Sequence, residues 1–140
     1  EFEAVGRITP QWQINTGFTM LDPEISKDDN PSLIGSTITY LPKSTASLFT
    51  SYDFNNGFYV SGGARFVDSV KTSYDGSTKD LPGYTLFDAG IGYSIDKWRF
   101  QLNGKNLTSK RYYINNYQTT FYGNVVGAPR SVTASVKYAF

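Results

Sequence analysis

The chain has 140 residues, a formal net charge of +1, and neither Cys nor His. A near-neutral balance without a basic block gives no electrostatic case for nucleic acid. The missing Cys removes disulfides and thiolate metal sites, and the missing His removes the commonest general base. No signal peptide opens the sequence and no apolar run of about 18 residues occurs, which excludes helical membrane spans. Tyr, Phe and Trp make up 16% of the residues. So many rings in an otherwise polar chain suit a soluble β-sandwich or a membrane β-barrel, and composition leaves both open.

Alternation with a period of two runs through segment after segment and predicts strands near 2–8, 11–20, 44–54, 58–67, 84–95, 98–107 and 130–140. In the first, Phe2, Ala4, Gly6 and Ile8 oppose Glu3 and Arg7. In the second, Trp12, Ile14, Thr16, Phe18 and Met20 oppose Gln13, Asn15, Gly17 and Thr19. The third sets Ala46, Leu48, Thr50, Tyr52 and Phe54 on one face, with Phe49 interrupting the polar side. The fourth sets Phe58, Val60, Gly62, Ala64 and Phe66 against Tyr59, Ser61, Gly63 and Arg65. Phe87, Ala89, Ile91, Tyr93 and Ile95 oppose Asp88, Gly90, Gly92 and Ser94 in the fifth. Trp98, Phe100, Leu102 and Gly104 oppose Arg99, Gln101, Asn103 and Lys105 in the sixth. The last is the cleanest: Val132, Ala134, Val136, Tyr138 and Phe140 against Ser131, Thr133, Ser135 and Lys137.

Successive strand residues point to opposite faces, so each segment has an apolar and a polar surface. Every charge within the alternating runs (Glu3, Arg7, Asp53, Arg65, Asp88, Arg99, Lys105 and Lys137) falls on the polar one. A soluble sandwich also alternates. Three features favour the barrel instead: strands near the 9–11 residues that cross a bilayer, frequent Gly and Ala on the strand faces, and connections alternating between short and long.

The short connections are Thr9-Pro10, Asn55-Asn56-Gly57 and Asp96-Lys97; the long ones are 21–43, 68–83 and about 108–129. Asn56-Gly57 is a hairpin signal because both residues tolerate positive φ. Short turns are expected in the periplasm and long loops outside. Trp12, Phe54, Phe58, Trp98, Tyr138 and Phe140 then gather near the periplasmic rim, where amphipathic rings suit the headgroup layer. In this orientation the first strand enters from outside. An odd strand number does not suit an autonomous bacterial barrel, so the expectation is a piece of a larger one with two open edges.

The residues also resemble a family. Asn106-Leu107, Tyr112-Tyr113, Gly127-Ala128-Pro129-Arg130 and Tyr138-Ala139-Phe140 follow, in order and spacing, the ending of TonB-dependent receptors of the siderophore branch. Upstream, Glu3-Ala4-Val5-Gly6 before Trp12, and Leu41-Pro42-Lys43 leading into Ala46-Ser47-Leu48, resemble the same receptors. So do Leu81-Pro82-Gly83-Tyr84 with Asp88, and the stretch from Asn103 to Leu107. Thr108-Ser109-Lys110 departs mildly from the family pattern. The resemblance implies a 22-stranded barrel of which this chain is the last third. It also implies an N-terminal plug and TonB-contacting box absent from the chain, and energy-coupled import of a ferric chelate through the outer membrane. Phe140, with Tyr138 two residues earlier, resembles the signal read by the barrel-insertion machinery; its plainer reading is a girdle aromatic.

No catalytic constellation appears: there is no paired nucleophile and base, and no Gly-rich phosphate loop. Asp28-Asp29-Asn30 lacks the spacing and distal Glu of a calcium loop, and Asp75-Gly76 and Asp80 read as turn chemistry. The aromatic cluster Tyr112, Tyr113, Tyr117, Phe121 and Tyr122, with Tyr74, supplies candidate contacts to a bulky chelate; the alternative for each is loop packing. Tyr74 and Arg65 are the weaker members, and Arg99 and Lys105 are expected to pair with the plug or neighbouring strands. The leading function is TonB-dependent uptake of a ferric siderophore. A passive porin and a soluble carbohydrate-binding sandwich are the competing readings.

Overall fold

The computed structural model describes residues 1–74, 79–114 and 125–140. Strands occupy Phe2–Arg7 (β1), Trp12–Met20 (β2), Ser44–Asp53 (β3), Phe58–Val67 (β4), Tyr84–Ile95 (β5), Trp98–Lys105 (β6), Tyr113–Ile114 (β7), Val125–Val126 (β8) and Ser131–Tyr138 (β9). Seven of them form one antiparallel sheet in the order β1-β2-β3-β4-β5-β6-β9. It is an up-and-down meander in which every strand pairs with its sequence neighbour, save that β7 and β8 form a separate hairpin inside the last loop.

The register keeps the apolar set in phase across the sheet. One row runs Ile14, Thr50, Gly62, Ala89, Gly104, Val132 through successive pairings. The row beside it runs Tyr52, Val60, Ile91, Leu102, Ala134. A one-residue slip at any pairing would send a whole strand's apolar residues to the other face, so this phasing joins seven amphipathic strands into one apolar surface. The opposite face carries Glu3, Gly17, Ser47, Arg65 and Leu86 in one row and Ser94, Arg99 and Lys137 in another.

No described element covers the apolar face. Phe58, Phe66, Phe87, Ile91, Trp98, Leu102 and Val136 all remain exposed. The buried apolar residues are Val70, Leu81, Leu86 and Tyr112, none of them on that face. An apolar surface this continuous is untenable in water and fits hydrocarbon. From Phe58 to Phe66 the chain runs about 26 Å at the rise of an extended strand, which at the tilt of about 40° usual for barrel strands spans about 20 Å of an apolar band about 25 Å tall. A soluble sandwich would require a second sheet on this face, and none is present among the described residues. Nor does any described helix have the length and apolarity to cross a membrane.

Short turns close one edge. Trp12 N donates to Thr9 Oγ1 at 3.1 Å in the first. In the second, Asn55 and Gly57 take φ of 60° and 89°, and Asn56 Oδ1 accepts from Phe58 N at 3.1 Å. Asp96 turns the third at φ 50°. Strand β6 stops at Lys105 rather than continuing to 107, because Asn106 leaves the extended region with φ 49°.

The long connections carry structure of their own. In the first, Glu24 bridges Thr37, and Pro31–Leu33 forms a 3-10 turn capped by the Asn30 side chain. In the second, Val70 bridges Leu81, and both are buried. Tyr40 N donates to Lys71 O at 2.7 Å, tying the first long loop to the second. Among the described residues the small core therefore lies at the loop end, where Leu86 of β5 joins it from the polar face of the sheet.

Candidate functional site

The best-ordered polar constellation sits where β5, β6 and β9 give way to the last long loop. Its centre is Asn106, only 4% exposed. Asn tolerates the left-handed backbone region better than other non-glycine residues, so a strand can stop here without a glycine. The Asn106 N–H donates to Asp88 Oδ1 at 2.8 Å, and its carbonyl accepts from Ser109 N at 2.8 Å. Its Nδ2 donates to Lys110 O at 2.9 Å and to Ala128 O at 3.1 Å, and its Oδ1 accepts from Lys110 N at 2.8 Å. One side chain thus holds both arms of the loop, with every polar atom of the residue partnered.

Beside this node the Tyr112 ring packs on Tyr84, centroids 4.4 Å apart and tilted by 38°. Gly127 lies against the Tyr112 ring, and Gly127 N donates to Tyr112 O at 2.8 Å. A Cβ at 127 would overlap the ring, so glycine is required there for close approach. Above this layer Tyr113–Ile114 pairs with Val125–Val126, a hairpin that the sequence pattern did not suggest because its strands are two residues long.

Of the aromatic candidates, Tyr112 is buried at 7% exposure and serves as packing, Tyr113 is half-buried in β7, and Tyr74 stands exposed in the second long loop. Tyr117, Phe121 and Tyr122 lie outside the described residues, as does Asp75-Gly76. Asp28 Oδ1 accepts from Asn30 N at 2.8 Å, an Asx turn. Among the described residues no three acidic groups converge to hold a metal ion. Asn106 itself stood in the sequence only as part of a motif. The signal available was an Asn ending an alternating strand, where a left-handed residue is needed.

At the short-turn edge, rings cluster on the apolar face. Trp98 lies 4.7 Å from Tyr138 and 6.1 Å from Phe100, Tyr138 lies 5.2 Å from Phe140, and Phe58 lies 4.3 Å from Tyr93. Phe54 meets Tyr52 at 4.9 Å. Trp12 Nε1 donates to Thr50 Oγ1 at 2.7 Å, and Lys97 Nζ sits 5.9 Å above the Tyr138 ring. Trp12 and Tyr138 thus each have a polar partner beside apolar neighbours, which is the chemistry of a membrane–water boundary. On the polar face Phe49 interrupts the polar residues, 52% exposed opposite Asn15 and Gly63, as Val5 does in the same row.

Comparison with known proteins places this architecture. Residues 1–107 match the family described as TonB dependent receptor-like, beta-barrel. The ferrioxamine B receptor of Salmonella typhimurium is 32% identical over 151 aligned residues, covering 100% of this chain and 21% of the receptor. The crystal structure of the ferric-catecholate import receptor Fiu of Escherichia coli K12, in its closed form, superposes with a TM-score of 0.84 at 27% identity, covering 99% of this chain and 20% of Fiu. The ferripyoverdine receptor of the outer membrane of Pseudomonas aeruginosa superposes at 0.77 with 26% identity, covering 97% and 18%. The chain spans about a fifth of the length of these relatives. Its seven-stranded antiparallel sheet is a section of their 22-strand barrel wall. The chain belongs to the β-barrel family of TonB-dependent receptors, whose members lie in the bacterial outer membrane.

Proposed function

We propose that this chain is the C-terminal part of a receptor that imports a ferric siderophore through the outer membrane with energy delivered by TonB. The observation that carries the reading is the polarity of the sheet: all three long loops leave one edge, while the other closes in short turns beneath a band of rings. Loops outward and turns inward give the loops access to external cargo. Relatives of the chain are receptors for ferrioxamine B and for ferric catecholates. A bulky, partly apolar chelate suits aromatic contacts with a few polar groups, and Tyr113 and Tyr74 are the described rings at that edge. Tyr117, Phe121 and Tyr122, beyond the described residues, belong to the same proposed set, and Tyr112 serves it by holding the loop base. Trp12, Phe54, Phe58, Trp98 and Tyr138 form the periplasmic girdle in this reading. Tyr138 and Phe140 form the proposed recognition element for the barrel-insertion machinery. TonB acts through an N-terminal plug that is not among these 140 residues.

The test is uptake by the whole receptor, expressed in an iron-starved host lacking its own hydroxamate and catecholate receptors. Radiolabelled iron is supplied as ferric ferrioxamine B or as a ferric catecholate, with TonB present or deleted. Saturable, TonB-dependent uptake of either chelate is the expected result. Passage of small hydrophilic solutes without TonB, and of neither chelate, would make the barrel a passive pore.

A further inference from the structure

We infer that Asn106 is a positioning residue for cargo capture: it joins both arms of the last long loop to β5, so that Tyr113 and the β7–β8 pairing above it are held in one geometry. The inference rests on the uptake reading, which assigns that loop to the outer side. The geometry is specific to an amide. Lys110 O and Ala128 O both need a donor, Lys110 N needs an acceptor, and the Asn106 side chain supplies all three from one planar group. The two arms it joins are 18 residues apart along the chain (positions 110 and 128); the Gly127 N–Tyr112 O bond and the β7–β8 pairing link them beyond this point, and Asn106 is the side chain bonded to both at the base. Asp88 fixes the node to the sheet by accepting from Asn106 N, while Leu107 N donates to Phe87 O at 2.8 Å next to it. The node is nearly sealed from water, at 4% exposure, so its hydrogen bonds are not readily exchanged for solvent. Tyr113 and β7 begin three residues beyond Lys110, directly above this junction. A loop fixed at its base loses less conformational freedom when it binds, which raises affinity without adding a contact.

Two variants of the full-length receptor test this. Asn106→Gly keeps a backbone that accepts φ 49° but removes the amide. Asn106→Asp keeps the acceptor for Lys110 N but replaces the double donor with a carboxylate facing two carbonyls. Three quantities are measured: the heat-sensitive electrophoretic mobility of the closed barrel, binding of ferric ferrioxamine B and of a ferric catecholate, and cleavage of residues 107–130 by external protease on intact cells. Both variants are expected to assemble as closed barrels, to bind the chelate that wild type binds about tenfold more weakly, and to be cut faster in the loop, with maximal uptake at saturating chelate retained. Variants that assemble and bind as tightly as wild type would overturn the role of Asn106 and leave the uptake reading intact. A loss of maximal uptake without loss of affinity would overturn it as well. Wild type that binds neither chelate would overturn the uptake reading, and the inference with it. The protease result separates these cases, because the loop base can be opened by the substitution whether or not a chelate binds.

Discussion

The ring of Tyr112 occupies the space that a side chain at position 127 would need, and Gly127 N donates to the carbonyl of the same tyrosine at 2.8 Å. Ring and backbone therefore exclude any larger residue while holding the two loop arms in register. Gly127→Ala should force the ring off Tyr84 or push the arms apart. Overpacking of this kind costs about 1–3 kcal/mol. Because the strain falls in the loop base, faster external proteolysis between 107 and 130 is expected, with barrel mobility on gels unchanged. Wild-type cleavage rates in Gly127→Ala would show that the contact is not a constraint.

The two faces of β9 should answer oppositely to the same change. Ala134 lies opposite Leu102 on the apolar face, while its neighbour Thr133 lies opposite Asn103 on the polar face. Ala134→Arg puts a guanidinium into the hydrocarbon, costing about 2–4 kcal/mol near the midplane. Thr133→Arg faces the lumen and should stay within about 0.5 kcal/mol of wild type. Guanidinium chloride unfolding of the full barrel in phospholipid vesicles measures both. Equal effects would contradict the assignment of faces.

Among the rings at the short-turn edge, Trp12 has a directed partner in Thr50, 2.7 Å from its indole nitrogen. Thr50→Val keeps the shape of the side chain and removes the acceptor. A loss of about 0.5–1.5 kcal/mol in the same unfolding measurement is expected. The Thr50 hydroxyl also donates to Gln13 O at 3.0 Å, so Thr50→Val removes both bonds. Adding Trp12→Phe should cost little more, because the bond it removes is already lost, and an additive double variant would mean the Trp12–Thr50 bond contributes nothing.

Tyr112 and Tyr113 are neighbours with different surroundings, one 7% exposed against Tyr84 and the other half-buried in β7. Tyr113→Ala is expected to weaken binding of whichever ferric chelate the whole receptor takes, by about tenfold, with the loop's protease resistance kept. Tyr112→Phe retains the ring and should bind as wild type, whereas Tyr112→Ala should open the loop to protease. Titration of purified receptor by intrinsic fluorescence checks the first pair. If Tyr113→Ala binds normally while Tyr112→Phe does not, their roles are exchanged.

Much of this protein is written in its residue alternation. Which side of each strand avoids charge depends only on extended backbone geometry, so Val132, Ala134 and Val136 declare one face without knowledge of their neighbours. The hairpin at Asn55-Asn56-Gly57 is equally local, a matter of which residues accept positive φ. That the apolar rows of seven strands coincide, and that no described element folds back over them, is decided by the register between strands. The loop base is legible only in three dimensions. Asn106 meets Asp88, 18 positions earlier, and Ala128, 22 positions later, and Tyr112 finds Tyr84 at 28 positions' separation. No periodicity encodes such meetings. They follow from where β5, β6 and β9 lie beside one another, which makes an asparagine without a distinguishing pattern a buried node of four partners and buries Tyr112 against Tyr84.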